Sequence, residues 1–258
     1  RAVGNGSTLP ATLTIGPGIE IHGSQGGYVK GYYTGDTLIN EGTIAADASG
    51  KIITVSGLNW TNSGQLKAQN GGTLKIAGLD NTGRTLVLDV AGGYLQLDNN
   101  GIKGGTISEA NAGVIRLSSS GALSGGVVLD ADLTIGDNCS LTVRDGLELN
   151  GVLTLNNTVS YNSSAINFVG TQTLSGTGEV VFGGSYSDNY LRAYGTSSSI
   201  PAVLTIGPGI EIHGSQGGYV GGYNAGDTLI NEGTIAADAS GKMITVSGLN
   251  WTNSGQLK

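Results

Sequence analysis

Cysteine, proline, aromatic side chains and charge are all scarce in this sequence, and each shortage closes off a class of protein. Cys139 is the only cysteine, so neither a disulfide framework nor a CxxC metal site can form within one chain. It reads as a small buried residue. Four prolines and no Gly-X-Y triplet exclude a collagen-like architecture. Charged residues reach 12%, about half the usual share. The 12 Lys and Arg are scattered singly among 19 Asp and Glu, for a net charge of −7. No basic stripe exists to neutralise phosphates, so nucleic acid is not an expected partner. No apolar run approaches the ~20 residues of a membrane helix, so the chain is not expected to span a membrane.

Glycine is abundant, at 47 of 258 residues, and hydrophobic residues still reach 38%. Short runs of Leu, Ile and Val are broken by Gly, Asn, Asp and Ser, a pattern of many strands and turns. Helical periodicity is nowhere sustained.

Two repeats lie one inside the other. Residues 1–67 recur as 192–258 at an offset of 191, with 57 of 67 positions identical. Leu13-Thr14-Ile15-Gly16-Pro17-Gly18 returns as Leu204-Thr205-Ile206-Gly207-Pro208-Gly209. Lys30 becomes Gly221 and Tyr33 becomes Asn224. The chain is thus read as one continuous β-solenoid over 1–258, with a super-repeat unit 1–191 and a partial second copy 192–258. It is read as a piece of a longer array, whose end coils would associate head to tail.

The shorter period is a column of apolar-x-Asn-x-Gly motifs: Leu38-x-Asn40, Trp60-x-Asn62, Leu79-x-Asn81, Leu97-x-Asn99 and Leu117-x-Ser119. The polar positions step by 22, 19, 18 and 20 residues. Alternate positions on a strand share a face. The first two motifs continue as Ile44-x-Ala46 and Leu66-x-Ala68, read as the same face. A coil of about 20 residues holds three short strands and cannot hide its own apolar face. Stacking coils at ~4.8 Å pairs each strand with the coils above and below. Asn40, Asn62, Asn81, Asn99 and Ser119, with Asn231 and Asn253 in the second copy, are then expected to form a buried ladder at a coil corner. The fold class is all-β, a right-handed parallel β-helix of about 12 coils of roughly 20 residues.

Asn40-Glu41-Gly42-Thr43-Ile44-Ala45-Ala46 and Asn62-Ser63-Gly64-Gln65-Leu66-Lys67-Ala68 resemble the N-x-G-x-[IL]-x-A repeats of filamentous-haemagglutinin-like bacterial adhesins. Autotransporter passenger domains are similar. The likeness covers residues 36–123 and 227–258. It implies a secreted or cell-surface β-helix used for adhesion, spacing or matrix. The near-perfect super-repeat is a departure from that family.

Right-handed β-helices also include polysaccharide-cleaving enzymes, which need clustered carboxylates and a basic residue in one groove. Asp130 and Asp132, with Asp137, Arg144 and Asp145 a coil later, are the best candidates, and could instead hold calcium. The simpler reading is that these aspartates flank turns. His22 and its copy His213 stand beside Glu20 and Glu211 on an outward, solvated face, without a third metal ligand. Flat ice-binding solenoids need Thr-x-Thr columns, and Thr12-x-Thr14 is replaced by Val203-x-Thr205 in the copy.

Tyrosine is clustered: Tyr28, Tyr32 and Tyr33; Tyr186, Tyr190 and Tyr194; Tyr219 and Tyr223. On Gly-rich loops these would either offer contacts to glycans or proteins or lie down over the flank of the helix. Trp60 and Trp251 fall on the motif face and are expected to be buried. The sequence therefore points to a structural, adhesive module without catalytic residues, metal or cofactor. A glycan-binding or polysaccharide-degrading β-helix is the alternative.

Overall fold

Short parallel strands, each paired with a strand about one coil away in sequence, make up nearly all the regular structure. The computed structural model describes residues 1–98, 100–111, 114–248 and 251–258. Among these residues the only helical element is a single 3₁₀ turn, Gly6–Thr8. The fold is an all-β solenoid of parallel stacked coils, about 10 turns in all. The chain forms two units, Arg1–Ala122 and Leu123–Lys258.

In the first unit three columns of strands build each coil. One column carries Thr12–Ile15, Thr37–Asn40, the end of Ile52–Asn62, the end of Thr73–Asp80, and Ile102–Lys103. A second carries Glu20–Ile21, Thr43–Ala46, Gln65–Ala68, Thr85–Asp89 and Thr106–Glu109. The third carries Gly27–Lys30, the starts of Ile52–Asn62 and Thr73–Asp80, then Tyr94–Leu97 and Val114–Leu117. Like side chains stack within each column. Leu38, Trp60, Leu79 and Ile102 form one inner row, and all four are at most 1% exposed. Trp60 satisfies its indole by donating from Nε1 to the Ala77 carbonyl at 2.9 Å, as a buried indole must.

The second unit repeats the plan. Val127–Asp130, Leu147–Leu149, Gln172–Gly176, Val203–Ile206 and Thr228–Asn231 stack in one column. Asp132–Ile135, Val152–Asn157, Glu179–Gly184 and Glu211–His213 form the next. Cys139–Val143, Ser164–Val169, Asn189–Tyr194, Gly218–Gly222 and Ile244–Ser247 form the third. Cys139 lies buried in that column as a free thiol, and burial, then the nearby Asp137 charge, pushes it above its ordinary pKa. A thiol held protonated is a packing group rather than a nucleophile.

Coil length is less regular than the motif spacing implied. Partners in neighbouring coils lie 19 residues apart at Trp60 and Leu79, 25 at Leu13 and Leu38, and 32 at Gln172 and Leu204. The extra residues sit in the turns, where the backbone faces water and length costs little. Several coils are therefore longer than the roughly 20 residues expected.

The super-repeat keeps its register. Leu13 pairs with Leu38, and Leu204 with Leu229; Ile15 pairs with Asn40, and Ile206 with Asn231; Tyr28 pairs with Thr54, and Tyr219 with Thr245. Two copies of one sequence thus fold to the same local pairing.

Candidate functional site

The expected asparagine ladder forms in pairs. Asn40 Nδ2 donates to Asn62 Oδ1 at 2.6 Å, and in the second copy Asn231 Nδ2 donates to Asn253 Oδ1 at 2.6 Å. Each amide also reaches the carbonyl two residues on, at Gly42, Gly64, Gly233 and Gly255. This is a side chain holding its own turn closed. Asn40 and Asn231 have Oδ1 atoms that are buried without a donor. The residues opposite them in the preceding coil are Ile15 and Ile206, which have none to offer.

Asn81 keeps the column, one residue beyond the Asp80–Lys103 pair, but its amide donates to the carbonyls of Arg84, Gly104 and Thr106 instead of to an asparagine. Beyond it the expected column breaks. Leu97 pairs with Ile76, and Leu117 with Leu95, both in the third column of the unit. Ser119 is half-buried in a bend there, and Asn99 lies outside the described residues. Apolar-x-polar-x-Gly marks a coil corner, and each coil has several. Asp98, for instance, accepts from Asn100 N–H at 2.9 Å to turn the chain. Ile44 and Leu66 stack as expected. They do so in the column after the corner, not on the strand of Asn40 and Asn62.

The acidic candidates for chemistry are all engaged with a neighbouring coil. Asp130 accepts from Asn150 Nδ2, Asp132 from Val152 N–H, Asp137 from the N–H groups of Thr158 and Val159, and Asp145 from Gly125 N–H. Burial raises the Asp137 pKa, but its bonds to Thr158 and Val159 outweigh that and leave it below the ordinary value. These carboxylates staple coils together. No group of three or more metal-ligating side chains occurs among the described residues. His22 and His213 are not simply solvated: His22 lies 3.3 Å from Asp47, and His213 lies 3.3 Å from Glu179 and 3.4 Å from Asp238.

Sequence reasoning passed over two buried aspartates. Asp36 is 1% exposed, and its carboxylate accepts from the N–H groups of Ala11, Tyr33, Gly4 and Tyr32. Those bonds, Ala11 first, hold its pKa below the ordinary value against the pull of burial. Asp227, its copy, accepts from Gly195, Ala202 and Asn224. The signal available was Gly35-Asp36 returning as Gly226-Asp227 in a loop whose neighbouring residues change.

Half of the clustered tyrosines stand on strands and half in the turns beside them. Tyr28 is outward on Gly27–Lys30 and 65% exposed, with Lys30 Nζ 5.6 Å from its ring centroid. Tyr32 and Tyr33 meet edge to face at 4.8 Å in the following turn, with the Arg1 guanidinium 5.9 Å from the Tyr32 ring. In the second unit, Tyr190 and Tyr219 are register partners and stack at 5.2 Å; Tyr194 and Tyr223 stack at 4.5 Å. Tyr186 stands exposed in the turn ahead of that strand, outside the stacked pairs. The Arg192 guanidinium sits 3.7 Å from the Tyr190 centroid and 5.3 Å from that of Tyr223. Burial pulls Arg192 below its ordinary pKa, and the surrounding tyrosines pull it back. A guanidinium keeps its charge in such a setting. Trp60 is buried as expected, while Trp251 is half-buried.

Comparison with protein-family models, curated proteins and solved structures finds no match for this chain. No helix among the described residues is long and apolar enough to cross a membrane.

Proposed function

We propose that this chain is a structural and adhesive repeat segment of a secreted or surface-displayed bacterial fibre, acting as a stiff spacer that carries an interaction surface. The observation behind this reading is the super-repeat: 191 residues later the same sequence makes the same strand pairs. Such a unit can be added many times without changing how one coil meets the next. Kinship with filamentous-haemagglutinin-like and autotransporter-type adhesins rests on the N-x-G-x-[IL]-x-A motifs, whose Asn and Gly serve as corner residues in this fold. The partners are neighbouring repeats, head-to-tail copies, and surface glycans or proteins that meet the outward tyrosines.

The polysaccharide-degrading alternative would draw on Asp130, Asp132, Arg144 and Asp145. The first two carboxylates are already bonded to Asn150 and Val152. Incubation with pectin and alginate tests it. No unsaturated or reducing ends are expected; their release, abolished by Asp130→Asn or Asp132→Asn, would favour the enzyme.

A further inference from the structure

The two copies of the super-repeat differ where the tyrosines gather, and the difference opens a cleft. In the second unit Tyr219, Gly221 and Tyr223 occupy alternate positions along one strand and the turn after it. The outer residues are four apart, roughly 13 Å of strand. Gly221 has no side chain between them. The result is an open cleft of about 200 Å³ lined by Tyr190, Arg192, Tyr219, Gly221, Tyr223 and Ser247. In the first copy Lys30 stands at the Gly221 position, with its Nζ over the Tyr28 ring at 5.6 Å.

Arg192 gives the cleft its charge, and no carboxylate lines it. Asp188 is occupied by the Tyr190 hydroxyl at 3.1 Å. Asp227, beneath Gly222, is turned to backbone N–H groups. The guanidinium lies against the Tyr190 ring, without a carboxylate partner among the described residues. Its planar fork is a bidentate carboxylate receptor, and stacking pre-organises it. Aromatic walls with hydroxyl tips suit a ring that is apolar on its faces and polar at its rim. The Arg–Tyr contact recurs as Arg1 over Tyr32 in the first copy, so it belongs to the repeat and not to a single accident of packing.

We propose that the cleft over Gly221 binds the carboxylate-bearing sugar of an acidic glycan, with Arg192 on the carboxylate and Tyr219 and Tyr223 flanking the ring. One cation on a chain of net charge −7 fits a single acidic sugar unit, not a polyanion, which would need a basic stripe. This rests on the adhesive reading and names the ligand class for its surface.

The test is titration of the whole chain with sialyllactose and with a glucuronate-terminated disaccharide, each against its neutral parent sugar, by saturation-transfer NMR and calorimetry. At least one acidic sugar should bind ten-fold or more tighter than its parent. Arg192→Gln should erase that preference without shifting the melting temperature. Gly221→Lys, which restores the first-copy residue, should also abolish binding. A Cβ at Gly221 would stand 2.0 Å from the Ser247 carbonyl, so the strand must shift locally; the first copy carries Lys30 opposite Ser56 in the same register. Tyr223→Ala, which needs no such shift, should weaken binding by a similar factor. Equal affinity for acidic and neutral sugars, or acidic binding unmoved by Arg192→Gln and Tyr223→Ala, would overturn the site. So would self-association of the chain that these variants abolish, which would make the face a contact between copies. Arg192→Gln and Tyr223→Ala change outward side chains, so failure here leaves the length of tandem units, which tests the spacer reading, independently measurable.

Discussion

At the scale of single residues, this fold is held by a few buried polar groups whose loss cannot be made good. Asn62 receives the Asn40 amide and donates to the Gly64 carbonyl, at 5% exposure. Asn62→Leu strands the Asn40 amide inside the coil, at a cost of ~1–3 kcal/mol. Thermal unfolding should show a larger loss than for Asn253→Leu, its exposed copy, or for Glu41→Ala on the surface. Asp36 gives a second test, through pH. Its folded pKa lies below the unfolded value of about 3.9. The stability it supplies is therefore complete above that value and is lost as pH falls through the folded pKa. Asp36→Asn should lower the melting temperature at pH 7 and flatten its decline between about pH 5 and 2; parallel curves would count against this role. The asparagines were legible because their spacing repeats. Asp36 was not, because its partners are backbone N–H groups as far as 32 residues away, and backbone leaves no trace in side-chain pattern.

At the scale of the element, the corner matters more than the strand. Gly64 packs against the preceding coil so closely that a Cβ would sit 2.0 Å from the Gly42 carbonyl; Gly255 repeats this over Gly233. Gly64→Ala should therefore cost ~1–3 kcal/mol as an overpacked site. Gly27→Ala, with open space around it, should be nearly neutral, and chemical denaturation can compare the two. The same corner chemistry explains where sequence reading stopped working. L-x-N-x-G at Leu97 looks like the motif at Leu38, yet Leu97 pairs with Ile76 and Ile102 takes the place over Leu79. A motif that describes any corner cannot say which corner it is. The tyrosine strands were hidden for a related reason. Gly27–Lys30 and Gly218–Gly222 lie in segments Gly-rich enough to read as loops, but the next coil, and for Gly218–Gly222 the preceding one too, supplies the pairing that their composition does not.

At the scale of the whole molecule, the long repeat is the informative feature. Parallel stacking, dry inner rows and outward polar positions all followed from the motif period, and the structure has them. Uniform coil length did not, because turns absorb extra residues, as where 32 positions separate the partners Gln172 and Leu204, without disturbing the ladder. The copies differ at ten of 67 positions, Lys30 against Gly221 and Tyr33 against Asn224 among them, within a shared pairing scheme. On the proposed reading, a repeated spacer could in this way vary what it displays while keeping its frame. The most direct test of that account is small-angle X-ray scattering of chains carrying one, two and three tandem 191-residue units. The account predicts that maximum dimension grows by a constant increment per unit while the cross-sectional radius stays fixed. Units that fold back on one another, with the cross-section growing and the increments shrinking, would contradict it.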